Sequence, residues 1–287
     1  MYDDILVATD GSEATLGAVT NALSLAERYD ATVHALYVVD VRAINVGEEA
    51  FDDKPVIDTL TGRGERATAE IRRRAEKRGL EAVTTVDPGT PAPRIRRYVA
   101  DHGIDLVSMG TRGRSGIARH LLGSVAESVL RDATVPVLTT RSEAASEGDY
   151  REILLPVDGS EATGRAADHA FDIAARYDAR VHALSVVDAG LSRSGDLLAA
   201  LETESEAAVE TAESRGAAAG VDVVSEVREG TPDACVTEYA DEHGIDLLVT
   251  GVHERRGLDR FLHRNAVDRL VRTADCPVLT VPKPAEK

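Results

Sequence analysis

The sequence has no tryptophan, and aromatic residues make up only 3% of its 287 residues, whereas hydrophobic residues make up 43%. A core must therefore be built from Ala, Val, Leu and Ile, which is typical of small parallel α/β domains. No apolar run reaches the roughly 18 residues of a membrane-spanning helix, and the N-terminus lacks the basic and then apolar pattern of a secretory signal. We therefore expect a soluble, cytoplasmic protein without membrane insertion.

Positive charge is also scarce, since 33 Lys and Arg face 50 Asp and Glu, for a net charge of -17. The excess of carboxylates repels a nucleic-acid backbone, so we expect no nucleic-acid partner. The only lysines are Lys54, Lys77, Lys283 and Lys287. An acidic, lysine-poor surface predicts adaptation to a high-salt cytoplasm, where screening removes the self-repulsion of the carboxylates.

Motifs of catalysis are missing as well. The sequence has no GxSxG elbow, Walker lysine loop, HExxH or complete GxGxxG. The two cysteines, Cys235 and Cys276, have no metal-binding or redox spacing. We therefore expect buried free thiols rather than a disulfide or a catalytic site, and we assign no catalytic residue and no protein metal site.

What the sequence does have is an internal repeat. Residues 5–15, ILVATDGSEAT, recur at residues 153–163 as ILLPVDGSEAT, a shift of 148. Further along, residues 102–105 recur at 243–246, a shift of 141. One deletion of seven residues in a surface crossover explains both shifts. We therefore expect two copies of one domain, at residues 1–141 and 151–287, joined by an acidic linker at 142–150.

Within each copy, short β-branched runs alternate with longer amphipathic stretches. In the first copy we predict strands at 5–9, 32–39, 82–86, 105–109 and 135–140, and helices at 13–29, 58–78, 92–102 and 124–131. This alternation predicts an α/β fold with two tandem, open-twisted, five-stranded parallel sheets of the Rossmann-like kind. Ligands of such sheets bind beyond the carboxyl ends of the strands, here after Thr9, Val39 and Met109.

A glycine pattern, G-x2-G-x9-G-S, follows the fourth predicted strand at Gly110, Gly113, Gly123 and Ser124. Glycines let backbone amides approach phosphate oxygens, and the first amides of the next helix add dipolar attraction. The Ser124 hydroxyl can bond a terminal phosphate, and Arg112 is a plausible charge partner. The pattern predicts a phosphate site in the first repeat.

The alternative interpretation is structural, because Ser124 and Glu127 also match a capping box. The second repeat has Asn265 and Asp268 at these positions. Since Asn caps helices as well as Ser does, this interpretation predicts capping in both copies.

The glycines of the pattern differ between the copies. Gly113 is replaced by Glu254 and Gly123 by Arg264, whereas the first glycine is kept as Gly251. If the glycines served only turn geometry, both copies should need them, so we favour ligand approach. We expect no ATP in the second repeat, where the Arg- and His-rich loop at 252–264 is interpreted as a solvated face rather than an anion site.

Features common to both copies are predicted to be structural. Ser12 and Ser160 follow the first strand of each copy and are expected to cap the next helix. The repeat-related histidines, expected to have structural roles, are His34 with His182 and His102 with His243.

With these motifs, both repeats resemble the universal stress protein family, over essentially the whole chain. The resemblance implies the family's five-stranded parallel fold and ATP, with Mg²⁺, as the ligand of the first repeat. It implies adenine and ribose contacts for Asp10 and Val38, and phosphate contacts for the glycine set. Ala8 stands where many members have proline, as the second repeat does at Pro156. The nucleotide-contacting positions that the resemblance predicts are Ala8, Asp10, Val38, Met109, Gly110, Arg112, Gly113, Gly123, Ser124 and Val125.

The resemblance implies a nucleotide-dependent stress or signalling module. At most slow ATP hydrolysis is expected, because no general base for the attacking water is visible. Two alternatives stay open: a nucleotide-free interaction scaffold that regulates a transporter or another partner, and an adenylyl-transfer enzyme. Family members dimerise through their last strands, predicted here at 135–140 and 276–281, so an intramolecular pseudo-dimer of the repeats is expected and a homodimer stays open.

Overall fold

The computed structural model describes residues 1–40, 54–111, 122–141, 148–188, 195–252 and 260–283. The chain divides into two compact units, unit 1 at Met1–Gly148 and unit 2 at Asp149–Lys287. Most of the expected linker, residues 142–147, lies outside the described residues.

Unit 1 alternates strands with helices, and a short 3₁₀ turn at Glu13–Thr15 precedes its first α-helix. Its five strands are parallel and lie in the order β3-β2-β1-β4-β5. In chain order the elements are β1 (Asp4–Thr9), α1 (Leu16–Tyr29), β2 (Thr32–Asp40), α2 (Lys54–Glu76), β3 (Ala82–Gly89), α3 (Pro91–His102), β4 (Leu106–Gly110), α4 (Ser124–Arg131) and β5 (Val137–Thr140).

Unit 2 has the same arrangement, with parallel strands in the order β10-β9-β6-β7-β8. The predicted α/β class with tandem five-stranded parallel sheets is confirmed. In chain order the elements are β6 (Glu152–Pro156), α5 (Glu161–Tyr177), β7 (Arg180–Val187), α6 (Gly195–Ala219), β8 (Val223–Glu229), α7 (Pro232–His243), β9 (Leu247–Gly251), α8 (Arg260–Thr273) and β10 (Val278–Val281).

The helix ends follow local chemistry that both units share. Pro91 and Pro232 open α3 and α7, where the missing proline N–H costs nothing and its fixed φ suits the first turn. Asp30 ends α1 with a left-handed φ of 54°, and Gly103 ends α3 with a φ of 64°. Short polar residues and glycine tolerate that conformation, so each helix stops where the sequence allows the chain to turn.

The core of each sheet is aliphatic. In β1, the consecutive residues Ile5, Leu6 and Val7 are completely buried, which requires cover on both faces of the sheet. The outermost strand β3 is less buried and includes Pro88, which pairs with Val39 of β2. Proline is tolerated there because an edge strand has one side without ladder hydrogen bonds. Within the described ranges, no helix combines the length and apolarity needed to cross a membrane.

The repeat-related histidines sit in matching buried clusters. In unit 1, His34 bonds the Tyr98 hydroxyl at 3.0 Å through Nδ1 and the Asp4 carboxylate at 2.9 Å through Nε2. In unit 2, His182 bonds the hydroxyl of Tyr239 at 2.9 Å and Glu152 at 2.7 Å in the same way. Each imidazole joins three secondary-structure elements, which is the structural role expected of it.

The second repeat-related pair extends these clusters. The His102 ring stacks on Tyr98 with centroids 3.8 Å apart, and the His243 ring stacks on Tyr239 at 3.9 Å. Each of these histidines also bonds the tyrosine's own carbonyl oxygen one helical turn earlier, at 3.1 Å and 3.0 Å. His102 and His243 therefore pack against the tyrosine rings of these clusters.

Both cysteines are buried and free, as expected. Burial raises the pKa of the Cys276 thiol to about 12, and it also raises the pKa of Cys235. Both thiols therefore stay protonated near neutral pH and are poor nucleophiles.

Candidate functional site

A cavity of about 470 Å³ opens at the carboxyl ends of β1, β2 and β4 in unit 1. Strand order reverses between β1 and β4, since β2 follows β1 in sequence but lies on its other side. The cavity therefore lies where parallel sheets of this type bind ligands. Its walls are Ala8, Thr9, Asp10, Thr15, Leu36, Tyr37, Val38, Val39, Asp40, Leu60, Pro91, Ile95, Met109, Gly110, Thr111, Gly123, Ser124, Val125 and Ala126.

Most of the predicted site residues meet in this wall, although they come from four separate parts of the chain. Arg112 and Gly113 lie outside the described residues. Those that line the cavity are Ala8, Asp10, Val38, Met109, Gly110, Gly123, Ser124 and Val125.

Asp10 is held in a tight turn after β1. Its Oδ1 accepts hydrogen bonds from the Ser12 amide at 2.9 Å and the Ser12 hydroxyl at 2.6 Å. Gly11 between them has a φ of 75°, which favours glycine. The turn therefore fixes the carboxylate at the cavity wall.

The predicted capping serines differ between the units. Ser160 accepts a hydrogen bond from the Thr163 amide at 3.3 Å and caps α5 as expected. The prediction for Ser12 is wrong, because Ser12 makes no side-chain cap bond and donates its hydroxyl to Asp10 instead. The Ser12 hydroxyl is directed toward the Asp10 carboxylate, a charged acceptor two residues earlier, rather than toward the helix amides.

The start of α4 forms another part of the cavity wall, more than a hundred residues after Asp10 in the sequence. Gly123 is the N-cap, with φ -65° and ψ 142°, and its amide donates to the Thr111 carbonyl at 2.8 Å. Ser124 is the first helical residue and is exposed, so the capping-box interpretation of Ser124 with Glu127 is wrong. Because the cap is one residue earlier than expected, the Ser124 side chain does not serve the helix end.

The equivalent helix of unit 2 begins earlier. α8 starts at Arg260, so Arg264 and Asn265 lie inside it, and the expectation that Asn265 caps the helix is also wrong. Arg is a much better helix former than Gly, so the helix continues through the position where Gly123 interrupts it in unit 1.

This difference changes the availability of backbone amides. Inside a helix, each amide donates to the carbonyl four residues earlier, as at Asn265. The first amides of a helix have no such acceptor. In unit 1 these are the amides of Ser124, Val125 and Ala126, and all three residues line the cavity. Residues at the start of α4 thus line the cavity in unit 1, whereas the equivalent positions of unit 2 lie inside α8.

Gly110 is weaker evidence for a ligand site than the glycines that only unit 1 has. A Cβ on its counterpart Gly251 would lie 2.5 Å from the carbonyl carbon of Ala162 in α5, so unit 2 needs glycine there for helix packing. Glycine at Gly251 therefore has a structural explanation in unit 2, so its retention in both copies does not by itself indicate ligand binding.

Sequence reasoning missed Thr111, which follows β4. Only 3% of Thr111 is exposed, and its Oγ1 is buried with no hydrogen-bond partner among the described residues. Its counterpart by the shift of 141 is Val252. The same comparison of repeats that singled out the glycines could have found it.

The charges at the cavity are acidic. Asp10 and Asp40 both line it, whereas no Lys or Arg is found among its lining residues in the described ranges. Asp40 was also missed by sequence reasoning, because its counterpart Asp188 is acidic too and the comparison shows no difference. An anionic ligand would therefore depend on backbone amides, the helix dipole or a cation.

Comparisons with known proteins agree with this architecture. A model of the universal stress protein family matches residues 1–141 and again residues 149–282. A universal stress protein of Methanocaldococcus jannaschii is 38% identical over 142 residues, covering 49% of this chain and 83% of that protein. One from Bacillus subtilis is 29% identical over 149 residues, covering 49% of this chain and 100% of that protein.

The crystal structure of a universal stress protein from Archaeoglobus fulgidus matches the fold of the whole chain. The TM-score is 0.76 at 21% identity, and the match covers 98% of this chain and 99% of that chain. Since the family model matches both repeats, the chain belongs to the universal stress protein family as a tandem of two copies.

Proposed function

We propose that unit 1 binds ATP, together with Mg²⁺, in the cavity at the carboxyl ends of β1, β2 and β4. On this proposal the chain is a nucleotide-dependent stress or signalling module of the cytoplasm, and unit 2 binds no ATP. The observation that carries the proposal is that the first residues of α4, Ser124, Val125 and Ala126, line the cavity in unit 1, whereas the equivalent positions of unit 2 lie inside a helix.

The size and lining of the cavity suit a nucleotide base and sugar. Its volume of about 470 Å³ lies within the usual range of small-molecule sites, which are mostly apolar with a few placed polar groups. Ala8, Val38 and Met109 supply apolar surface for an adenine ring. Asp10, oriented by Ser12, supplies a carboxylate that can accept hydrogen bonds from ribose hydroxyls.

The part of the cavity wall formed by the start of α4 suits phosphate groups. Helix N-termini bind anions through free amides and the positive end of the helix dipole. Gly123 has a φ of -65°, which any residue can adopt, so backbone conformation does not require glycine there. The lack of a Cβ instead leaves room for a close approach of ligand to the backbone.

Mg²⁺ would accompany the triphosphate rather than occupy a site of its own. No group of three or more His, Cys, Asp and Glu side chains in the described ranges could hold a metal ion. Mg²⁺ is commonly held by substrate phosphates with one or two carboxylates and water. The acidic lining at Asp10 and Asp40 also makes a cation useful, because it would offset the repulsion between these carboxylates and the phosphates.

Calorimetric titration with ATP, ADP and AMP tests the proposal, with Gly123→Arg as the key variant because it imports the residue of unit 2. We expect one ATP per chain for the unaltered protein. Gly123→Arg should weaken binding by roughly two orders of magnitude, about 3 kcal/mol, because the side chain fills the approach to the amides and favours extension of α4.

The matched control is Arg264→Ala, the equivalent position in unit 2, which should leave ATP affinity unchanged. Equal ATP binding by Gly123→Arg and the unaltered chain would refute the site. Binding of two ATP per chain would refute the proposal that unit 2 binds no ATP.

A further inference from the structure

Thr111 is a buried polar residue whose hydroxyl has no structural function in the described part of the chain. Its amide donates to the Thr140 carbonyl at 3.1 Å, and its carbonyl accepts from the Gly123 amide at 2.8 Å. Its backbone therefore joins β5 and the start of α4. Its Oγ1, by contrast, is buried without a hydrogen-bond partner among the described residues.

A buried hydroxyl without a partner costs free energy, because it gives up its bonds to water and gains none in return. A residue of the same shape without the hydroxyl would avoid this cost. Unit 2 has that residue, since Val252 occupies the equivalent position.

Thr111 and Val252 make equivalent backbone hydrogen bonds to the last strand of their unit, so their side chains can be compared directly. The Val252 amide donates to the Val281 carbonyl at 2.9 Å, as the Thr111 amide does to Thr140. The fold therefore accepts valine at this position and does not need the hydroxyl. The hydroxyl is present in unit 1, where Thr111 lines the cavity.

We propose that the Thr111 side chain is a ligand-contacting residue that bonds the phosphate chain of the bound nucleotide. The proposal rests on the function proposed for unit 1. The phosphate chain is the partner that the position favours, because Thr111 is tied through its carbonyl to Gly123, directly before the amides of Ser124 and Val125. The bound nucleotide would supply the hydrogen-bond partner that the Thr111 hydroxyl lacks among the described residues.

The test uses Thr111→Val, which reproduces the residue of unit 2, with Thr111→Ser and Val252→Thr as companions. Calorimetry should show that Thr111→Val weakens ATP binding about tenfold or more, since hydrogen bonds to charged groups are among the stronger ones. Thr111→Ser keeps the hydroxyl and should retain affinity within about threefold. Val252→Thr should not alter ATP affinity.

Thermal unfolding without ligand separates a ligand contact from a structural role. Thr111→Val should melt at the same temperature as the unaltered chain or higher, because it removes an unpaired buried hydroxyl. A clearly lower melting temperature would overturn the inference, and so would an unchanged ATP affinity of Thr111→Val.

The outcomes also distinguish this inference from the proposed function. If the unaltered chain binds no ATP, both the proposed function and the role of Thr111 are refuted. The unaltered chain could bind ATP while Gly123→Arg does not. If Thr111→Val then binds ATP normally, only the proposed role of Thr111 is refuted. A crystal structure with ATP in which Oγ1 of Thr111 contacts no phosphate oxygen would overturn the phosphate assignment.

Discussion

The two units share a strand order and a buried histidine cluster, but they differ where the fourth strand of each passes into its last helix. In unit 1 the chain is extended at Gly123 before α4 begins, and in unit 2 the equivalent Arg264 is already helical. Two copies of one fold in a single chain thus act as an internal control. A residue that only one copy keeps is a candidate for ligand binding, whereas a residue that both keep can be explained by folding alone.

The largest expected effect concerns the glycine that both copies keep. Gly251→Ala should destabilise unit 2 by about 3 kcal/mol, because its Cβ would collide with the Ala162 carbonyl and the α5 backbone must move. Hydrogen–deuterium exchange of unit 2 peptides measures this loss, while ATP affinity should stay unchanged.

The matched control for that substitution is Gly164→Ala in α5, where the nearest atom to a new Cβ is the Arg215 guanidinium at 3.6 Å. It should stabilise unit 2 slightly, since Ala is the better helix former. Normal exchange protection in Gly251→Ala would mean that the glycine at this position needs another explanation than helix packing.

The next effect concerns the histidine clusters, where replacing the buried histidine should destabilise each unit. His182→Leu should cost unit 2 about 2 kcal/mol, because it leaves the Tyr239 hydroxyl and Glu152 without this partner. His34→Leu should cost unit 1 about 1 kcal/mol, since the Tyr98 hydroxyl also lies 3.3 Å from the Thr85 hydroxyl.

Denaturant unfolding with exchange readout for each unit measures both losses. His102→Leu serves as a control that keeps the buried imidazole of unit 1. A strong loss of ATP affinity in His34→Leu without a loss of stability would contradict the division into structural and ligand-binding features.

The smallest effect separates the two serines after the first strands. Ser160→Ala removes a helix cap and should destabilise unit 2 by about 1 kcal/mol. Ser12→Ala removes a bond to Asp10 instead, so it should lower ATP affinity a few-fold with a smaller change in stability. Calorimetry and unfolding on both variants check this, and the reverse pattern would show that Ser12 acts as a cap after all.

The sequence predicted the fold closely, because a parallel sheet requires apolar strands that alternate with helices. Strand β1 at Asp4–Thr9 differs from its prediction by one residue, and α4 at Ser124–Arg131 matches it. β3 is longer than predicted, since it continues through Pro88 to Gly89. Proline normally ends a strand, but here it lies on the edge, which the sequence alone does not reveal.

The site was harder to predict in its details. The position of the α4 cap depends on a hydrogen bond from Gly123 to Thr111, which lies twelve residues earlier in the chain, so local propensity placed the cap at Ser124. Thr111 differs from its counterpart Val252, but the sequence does not show that its hydroxyl is buried without a partner among the described residues. Asp10 was found because its turn has a short local signature.

Pro88 also bears on how the chain avoids self-association. A sheet edge can recruit a strand from another molecule, and a proline in it removes one of the backbone donors that such recruitment would use. In unit 2 the outer strand β8 has no proline but carries Glu226, Arg228 and Glu229. The two halves therefore discourage fibre-like stacking by different means, one by a missing donor and the other by charge.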